Sequence, residues 1–176
     1  MSAEDYYLDA IAAIDEGDRE TALNAARKVV ALDSEHVDSW WMIADLELPA
    51  SSAPNLKQAS KSLSACRKVI AIAPDRVDAW IRGGRILADE LGMYEEALAW
   101  WQGCREQAPF EVVPVIEQTA ILTDLGMYDL AMDRLNGILE DNLDIGTQQY
   151  ARIARLHAIV RKAIAQEKSQ HFKPWE

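Results

Sequence analysis

Residues 91–98, Leu-Gly-Met-Tyr-Glu-Glu-Ala-Leu, return 34 residues later at 125–132 as Leu-Gly-Met-Tyr-Asp-Leu-Ala-Met. The first four residues are the same in both, Ala97 is matched by Ala131, and Asp129 replaces Glu95. An octet that returns at a fixed interval marks a repeated structural unit, and about 34 residues is the length of a helix–turn–helix repeat.

The rest of the chain fits that period. Tyr6, Ala10, Ala13 and Ile14 form one helical stripe, Gly17 breaks it, and Ala22, Leu23, Ala26, Val29 and Val30 form the next. Trp40, Ile43, Ala44 and Leu48 open a second pair. Two prolines and two serines at 49–54 stop that helix, and 55–72 resumes it through Leu56, Ala59, Leu63, Cys66, Val69 and Ile70. A third pair opens at Trp80, turns at Gly92 and runs through Ala97, Leu98 and Trp101. A fourth opens near Val112, turns at Gly126 and runs through Ala131, Leu135, Ile138 and Leu139. Tyr6, Trp40, Trp80 and Val115 fall on one register, as do Ala22, Ser62, Ala97 and Ala131, with six extra residues in the second repeat and one in the third. The six coincide with the Pro/Ser stretch, where a loop insertion costs least.

The spacing predicts repeats at about 3–36, 37–76, 77–111 and 112–145. A single amphipathic helix follows at 147–168, with Tyr150, Ile153, Leu156, Val160, Ala163 and Ile164 as its apolar stripe, and 169–176 is expected to be a flexible tail. A lone helix with one apolar face suits the end of a stacked array, whose last repeat needs cover.

Charge narrows the partners. The net −11 is uneven: residues 1–50 carry 12 acids and 3 bases, 111–146 carry 8 acids and 1 base, and 147–176 carry 2 acids and 6 bases. Such a field repels nucleic-acid phosphate over most of the chain. The acidic N-terminal half and basic C-terminal helix make head-to-tail self-association an expectation. No apolar run approaches the ~20 residues of a membrane span, and the acidic start lacks the pattern of a leader, so a cytoplasmic protein is expected. Cys66 and Cys104 lie in apolar helical stretches and read as buried, reduced thiols.

Nothing in the pattern argues for an enzyme. Gly83-Gly84 lacks the Gly-Lys-Ser/Thr ending of a phosphate loop. The run Glu140-Asp141-Asn142-Leu143-Asp144 lacks the alternating ligands of a calcium loop and reads as an inter-helix loop. His36, His157 and His171 have no metal-ligand spacing and are assigned surface or capping roles. No catalytic residue, metal site or cofactor is expected.

With these residues in place, the sequence resembles the tetratricopeptide-repeat (TPR) family, whose pattern is Trp-x2-Leu-Gly-x2-Tyr, Ala-x3-Phe, then Pro. The third repeat reads Trp80-x2-Gly83-Gly84-x2-Leu87, Ala97-x3-Trp101, Pro109. The second begins Trp40-x2-Ile43-Ala44 and ends at Pro74. The fourth keeps Gly126, Tyr128, Ala131 and Leu135, and the first keeps Gly17 and Ala22. The resemblance implies an all-α, right-handed α-solenoid of antiparallel helix pairs. Small residues at the eighth position (Ala10, Ala44, Gly84, Thr119) then let paired helices approach, with Thr119 the poorest fit.

The resemblance also implies a non-enzymatic scaffold or adaptor that binds a peptide or protein segment in a concave groove lined by the first helices. Carried onto this chain, the groove positions are Tyr7 and Ile11; Asp38, Trp41, Met42 and Asp45; Ile81, Arg82 and Arg85; and Ile116, Glu117 and Ala120. Arg82 and Arg85 share a helical face. They could bind a partner's carboxylate or acidic segment, or could pair with Asp78, Asp89 or Glu117 and hold the repeats together. Tyr7, Ile11, Met42 and Asp78 depart from the basic and Asn residues of chaperone-binding members, which argues against a chaperone clamp. Arg152, Arg155, Arg161, Lys162 and Lys168 form a basic stripe, either a solvated face or a dock for an acidic partner or anionic lipid. Two other classes stay open: a structural subunit held through the convex face, and an RNA-binding helical repeat.

Overall fold

Each of the first helices starts where a side chain can take up an otherwise orphaned amide. In the computed structural model, which describes residues 1–140 and 145–171, α1 (Ala3–Asp15) opens on a reciprocal box. The Ser2 hydroxyl accepts from Asp5 N–H at 3.2 Å, and the Asp5 carboxylate accepts from Ser2 N–H at 2.7 Å. Asp18 caps α2 (Arg19–Leu32) by accepting from Thr21 N–H at 3.0 Å. His36 caps α3 (Val37–Leu46) through Nδ1, which accepts from Ser39 N–H at 3.2 Å. The box of Asn55 and Gln58 opens α4 (Leu56–Ile72). Then come α5 (Val77–Arg85), a π turn (Ile86–Glu90), α6 (Tyr94–Gln107), α7 (Val113–Asp124), α8 (Tyr128–Glu140) and α9 (Thr147–His171). The stretch 141–144 and the tail end 172–176 lie outside the described residues. The expected tail begins as helix, since α9 continues to His171.

Glycine makes three of the turns. Gly17, Gly92 and Gly126 have φ of 78°, 64° and 73°, a region that costs an L side chain strain. After α1, Asp18 N–H returns to Ala13 O at 2.8 Å, and after α7, Met127 N–H returns to Leu122 O at 2.8 Å. Both span five residues. Before Gly92 the bond runs from Met93 N–H to Leu87 O at 2.8 Å and spans six. The difference is the π turn, which adds one residue to the helix. Twelve residues separate Trp80 from Gly92, against eleven from Tyr6 to Gly17 and from Val115 to Gly126. The single extra residue of the third repeat therefore sits in the π turn.

The small positions behave as the register demands. Ala10, Ala44, Thr119, Ala22, Ser62, Ala97 and Ala131 are completely buried, and Gly84 is buried with them. Thr119 is accommodated because its hydroxyl donates to Val115 O at 2.8 Å, so the buried oxygen is satisfied. The aromatic position is also used alike in successive repeats. Trp40 Nε1 donates to Ser34 O at 2.9 Å and Trp80 Nε1 to Pro74 O at 2.8 Å, each tying its ring to the loop six residues back. Lys28 stands over Tyr6 at 4.9 Å and Lys68 over Trp40 at 5.9 Å, again equivalent pairs.

The chain divides between Glu96 and Ala97 into two compact units. The division falls within the third expected repeat: α5 belongs to the first unit, and α6 from Ala97 onward to the second. Within the first unit α1 packs on α2, α2 on α3, α3 on α4, and α4 on α5 and the π turn. Within the second, α7 packs on α8 and α9 on both. Its core holds Val112, Val115, Ile116, Leu122, Ala131, Leu135, Ile138 and Val160, with Ile153, Leu156 and Ile164 of α9 laid against them. Tyr150, expected in that stripe, is exposed instead. It stands in the first turn of α9, at the margin of the apolar arc.

Candidate functional site

The end of α3 governs the first unit's open face. The loop 47–55 follows α3 in place of a glycine turn; Glu47 N–H still returns to Ile43 O at 3.0 Å and Leu48 N–H to Asp45 O at 3.3 Å, but the Ala44 carbonyl between them is left without Leu48 N–H, its helical donor. Side chains from both neighbours supply further donors. Arg19 at the start of α2 reaches Asp45 O at 3.0 Å and Leu48 O at 2.8 Å. The Ser62 hydroxyl of α4 donates to Ala44 O at 2.5 Å. Glu47, buried at the same end, is held by Arg27 of α2 and by Lys61 of α4 at 3.7 Å. A hollow of about 550 Å³ lies around Trp40, Ile43, Arg27 and Lys61, and its carboxylate is already engaged by those two cations. That side is a structural joint.

Another hollow is a cleft of about 470 Å³ formed by α3, α5 and the π turn, lined by Trp41, Leu48, Asp78, Ile81, Arg82, Arg85, Ile86, Asp89 and Glu90. Four expected groove positions, Trp41, Ile81, Arg82 and Arg85, meet there. Two guanidinium groups stand over the Trp41 ring, Arg82 at 4.5 Å and Arg76 at 5.8 Å from its centre. The same arginines are ion-paired. Arg82 reaches Asp45 at 2.6 Å, while Arg76 reaches Asp38 and Asp78, both at 3.1 Å. The Asp78 hydrogen bond foremost, and Asp38 with it, pushes the Arg76 guanidinium further above its ordinary value, so it stays charged. Arg82 was expected to meet a partner carboxylate or Asp78, Asp89 or Glu117; its carboxylate is Asp45, itself one of the groove positions.

Tyr7 and Ile11 sit half-buried on α1. The Tyr7 ring lies 4.7 Å from that of His36, and burial, followed by Asp38 and Glu4, pushes its phenol up. Met42 packs against the small core of Ala13, Ala22 and Leu46 and so faces inward more than expected.

In the second unit two of the three expected groove positions are buried. Ile116 is 1% exposed within the core, and Glu117 is buried against α9, where Arg152 binds both its oxygens at 2.7 and 2.6 Å. Ala120 alone stays half-exposed. The cause is α9: the helix that closes the array lies on α7, where a groove wall was expected. Arg152 is thereby removed from the basic stripe as a free surface charge, while Arg155, Arg161, Lys162 and Lys168 remain exposed.

Two features of this site escaped sequence reasoning. The π turn places Ile86, Asp89 and Glu90 in the cleft wall, and π turns concentrate at functional sites. Its signal was the twelve-residue interval from Trp80 to Gly92. Asp45–Arg82 and Asp38–Arg76 join residues 37 and 38 positions apart, and only the register could have suggested them. Cys66 and Cys104 are buried free thiols whose burial raises both to about 12. Among the described residues, no group of three His, Cys, Asp or Glu side chains is placed to hold a metal ion, and no helix is long and apolar enough to cross a membrane.

No family model and no curated protein sequence matches the chain. Solved structures do. A crystal structure of MamA protein aligns with TM-score 0.65 at 11% identity, over 99% of this chain and 97% of that one. YrrB, described as a TPR protein with an unusual peptide-binding site, aligns with TM-score 0.59 at 15% identity, over 93% and 90%. The first TPR of Spaghetti (RPAP3), bound to the HSP90 peptide SRMEEVD, aligns with TM-score 0.53 at 18% identity, over 70% and 95%.

Proposed function

Starting from a chain with the all-α fold of the TPR proteins, we propose that it is a non-enzymatic scaffold that binds a peptide or protein segment in the cleft of α3, α5 and the π turn. One observation carries this reading: an apolar floor of half-exposed Trp41, Leu48 and Ile81 lies open in a cleft rimmed by charged side chains, with buried Ile86 beneath it. Apolar anchors inside a polar rim are the usual anatomy of a protein interface, and Trp and Arg are the types most often decisive there. The solved neighbours support the class, since YrrB is described with a peptide-binding site and the RPAP3 domain holds a peptide.

The site is confined to the first unit. Asp45 pairs with Arg82, which stands over Trp41, and Arg76 stands over the same ring while pairing with Asp38; Ile81 and Arg85 line the cleft. Preorganisation of this kind lowers the ordering cost of binding.

The test is selection of a random peptide library on the purified chain, followed by titration of the recovered peptides. Ile81→Glu should weaken the selected peptides at least tenfold while leaving the melting curve in place. Equal affinity for the variant and the parent chain would refute the cleft as the binding site.

A further inference from the structure

We propose that the outward face of α9 docks a second copy of this chain, taking the outward face of that copy's α1 in a head-to-tail contact. The proposal is independent of the cleft.

Both faces are open. On α1 the exposed Leu8 and Ala12 run along the middle of the outward face, with Glu4 and Asp15 at one margin and Asp9 and Glu16 at the other. On α9 the exposed Ala158 and Ala165 run along the middle, with Arg155 and Lys162 at one margin and Arg161 and Lys168 at the other. Among the described residues none of these four acids and four bases is in an ion pair. Arg152 on the same helix differs, because Glu117 already holds it.

The two faces match in sign, spacing and relief. Asp9 and Glu16 are seven residues apart, and so are Arg155 and Lys162, and Arg161 and Lys168. Seven residues rise about 10.5 Å along a helix, so two ion pairs form in a single register. Leu8 is 57% exposed and is the large apolar side chain of its face, while the alanines of α9 leave a shallow strip to receive it. One exposed ion pair contributes little. Several of them around an apolar line that excludes water reproduce the rim and centre of a protein interface.

The occupant follows from the charges of the whole chain. A phosphate polyanion would meet the same cations, but the rest of a chain with net charge −11 repels it, and the acids of α1 would stay unmatched. A second copy matches both faces at once. Its overall repulsion comes from charges far from the contact, which salt screens beyond about 10 Å at about 0.1 M, whereas the opposed ends touch. Because the contact joins unlike faces, each pair keeps one α1 face and one α9 face for further copies.

The experiment is sedimentation velocity on the full chain over a concentration series at about 0.1 M and about 1 M salt, between which the screening length falls from about 10 Å to about 3 Å. The average mass should rise with concentration at the lower salt, and the rise should shrink at the higher. Two double variants at exposed positions isolate the contact: Asp9→Lys with Glu16→Lys, and Arg155→Glu with Lys162→Glu. Each alone should weaken association at least tenfold with its circular dichroism spectrum unchanged. An equimolar mixture of the two should associate again, because it pairs an unaltered α1 with an unaltered α9. A parent chain that stays monomeric at every concentration would overturn the proposal. So would association that survives either variant, association undiminished by salt, or a mixture that stays monomeric.

Discussion

Replacing Ser62 by Ala gives a test in which the repeat pattern and the structure disagree on sign. The equivalent positions are Ala22, Ala97 and Ala131, so the pattern alone expects Ser62→Ala to be harmless or helpful, and Ala is the better helix former by about 0.5 kcal/mol. The structure says otherwise. Ser62 is completely buried and its hydroxyl donates to Ala44 O at 2.5 Å. A continuing helix would offer Leu48 N–H to that carbonyl, but here Leu48 N–H bonds Asp45 O at 3.3 Å. Removing the hydroxyl leaves a buried acceptor unmet, which costs about 1–3 kcal/mol. After the propensity gain, a net loss of about 0.5–2.5 kcal/mol is expected, a fall of a few degrees in melting temperature for a chain of this size. Urea unfolding followed by far-UV circular dichroism measures it, with Ser64→Ala, exposed on the same helix, as a control that should stay within about 0.5 kcal/mol. A Ser62→Ala protein as stable as the parent would refute the assignment of that hydroxyl as the cap of α3.

Glu47→Met should change stability by less than about 1 kcal/mol, because Arg27 and Lys61 are each over 40% exposed and can turn to water; the double change Arg27→Met, Lys61→Met should cost about 3 kcal/mol by stranding a buried carboxylate. Urea titration of the two proteins decides it. Deleting Ala88 restores the eleven-residue spacing of the other repeats, so helicity should persist while peptide affinity falls as Asp89 and Glu90 rotate; lost helicity would show that the π turn is needed for folding. Thiol titration at pH 8 should find Cys66 and Cys104 silent until the chain is unfolded. Because burial holds Cys66 at about 12 against an ordinary value near 9, its stabilising effect is complete below pH 9. That effect falls by about 1.4 kcal/mol per pH unit between 9 and 12, as the unfolded chain releases the proton first. A flat pH–stability curve from 9 to 11 would contradict that burial.

The parts of the fold legible in the sequence were those set by local sterics. Gly17, Gly92 and Gly126 are needed where φ is positive, and Ala22, Ala97 and Ala131 where two helices meet, so each position carries its reason in its side chain. The illegible parts depend on what arrives from elsewhere. Arg19 looks like an ordinary first-turn residue until the carbonyls of α3 come within reach. Ile116 and Glu117 hold groove positions in the register, yet α9 covers them, and an amphipathic stripe does not say which face it will seek. The arginines show the same limit. Their shared helical face was readable, but the Asp45 and Trp41 that engage Arg82 come from another repeat.

The way α3 ends also bears on how such chains can be rebuilt. Repeats that close on their own glycine carry their terminators with them and can be duplicated or exchanged as cassettes. The second repeat cannot: its closing donors, Arg19 and Ser62, come from α2 in the repeat before and from α4 beyond the loop. A transplanted α3 would arrive without the Arg19 that seals it, and a shuffled array would keep that helix only where a neighbour supplied an equivalent cation. The loop that replaced the glycine turn thus ties the second repeat to the first as a heritable pair.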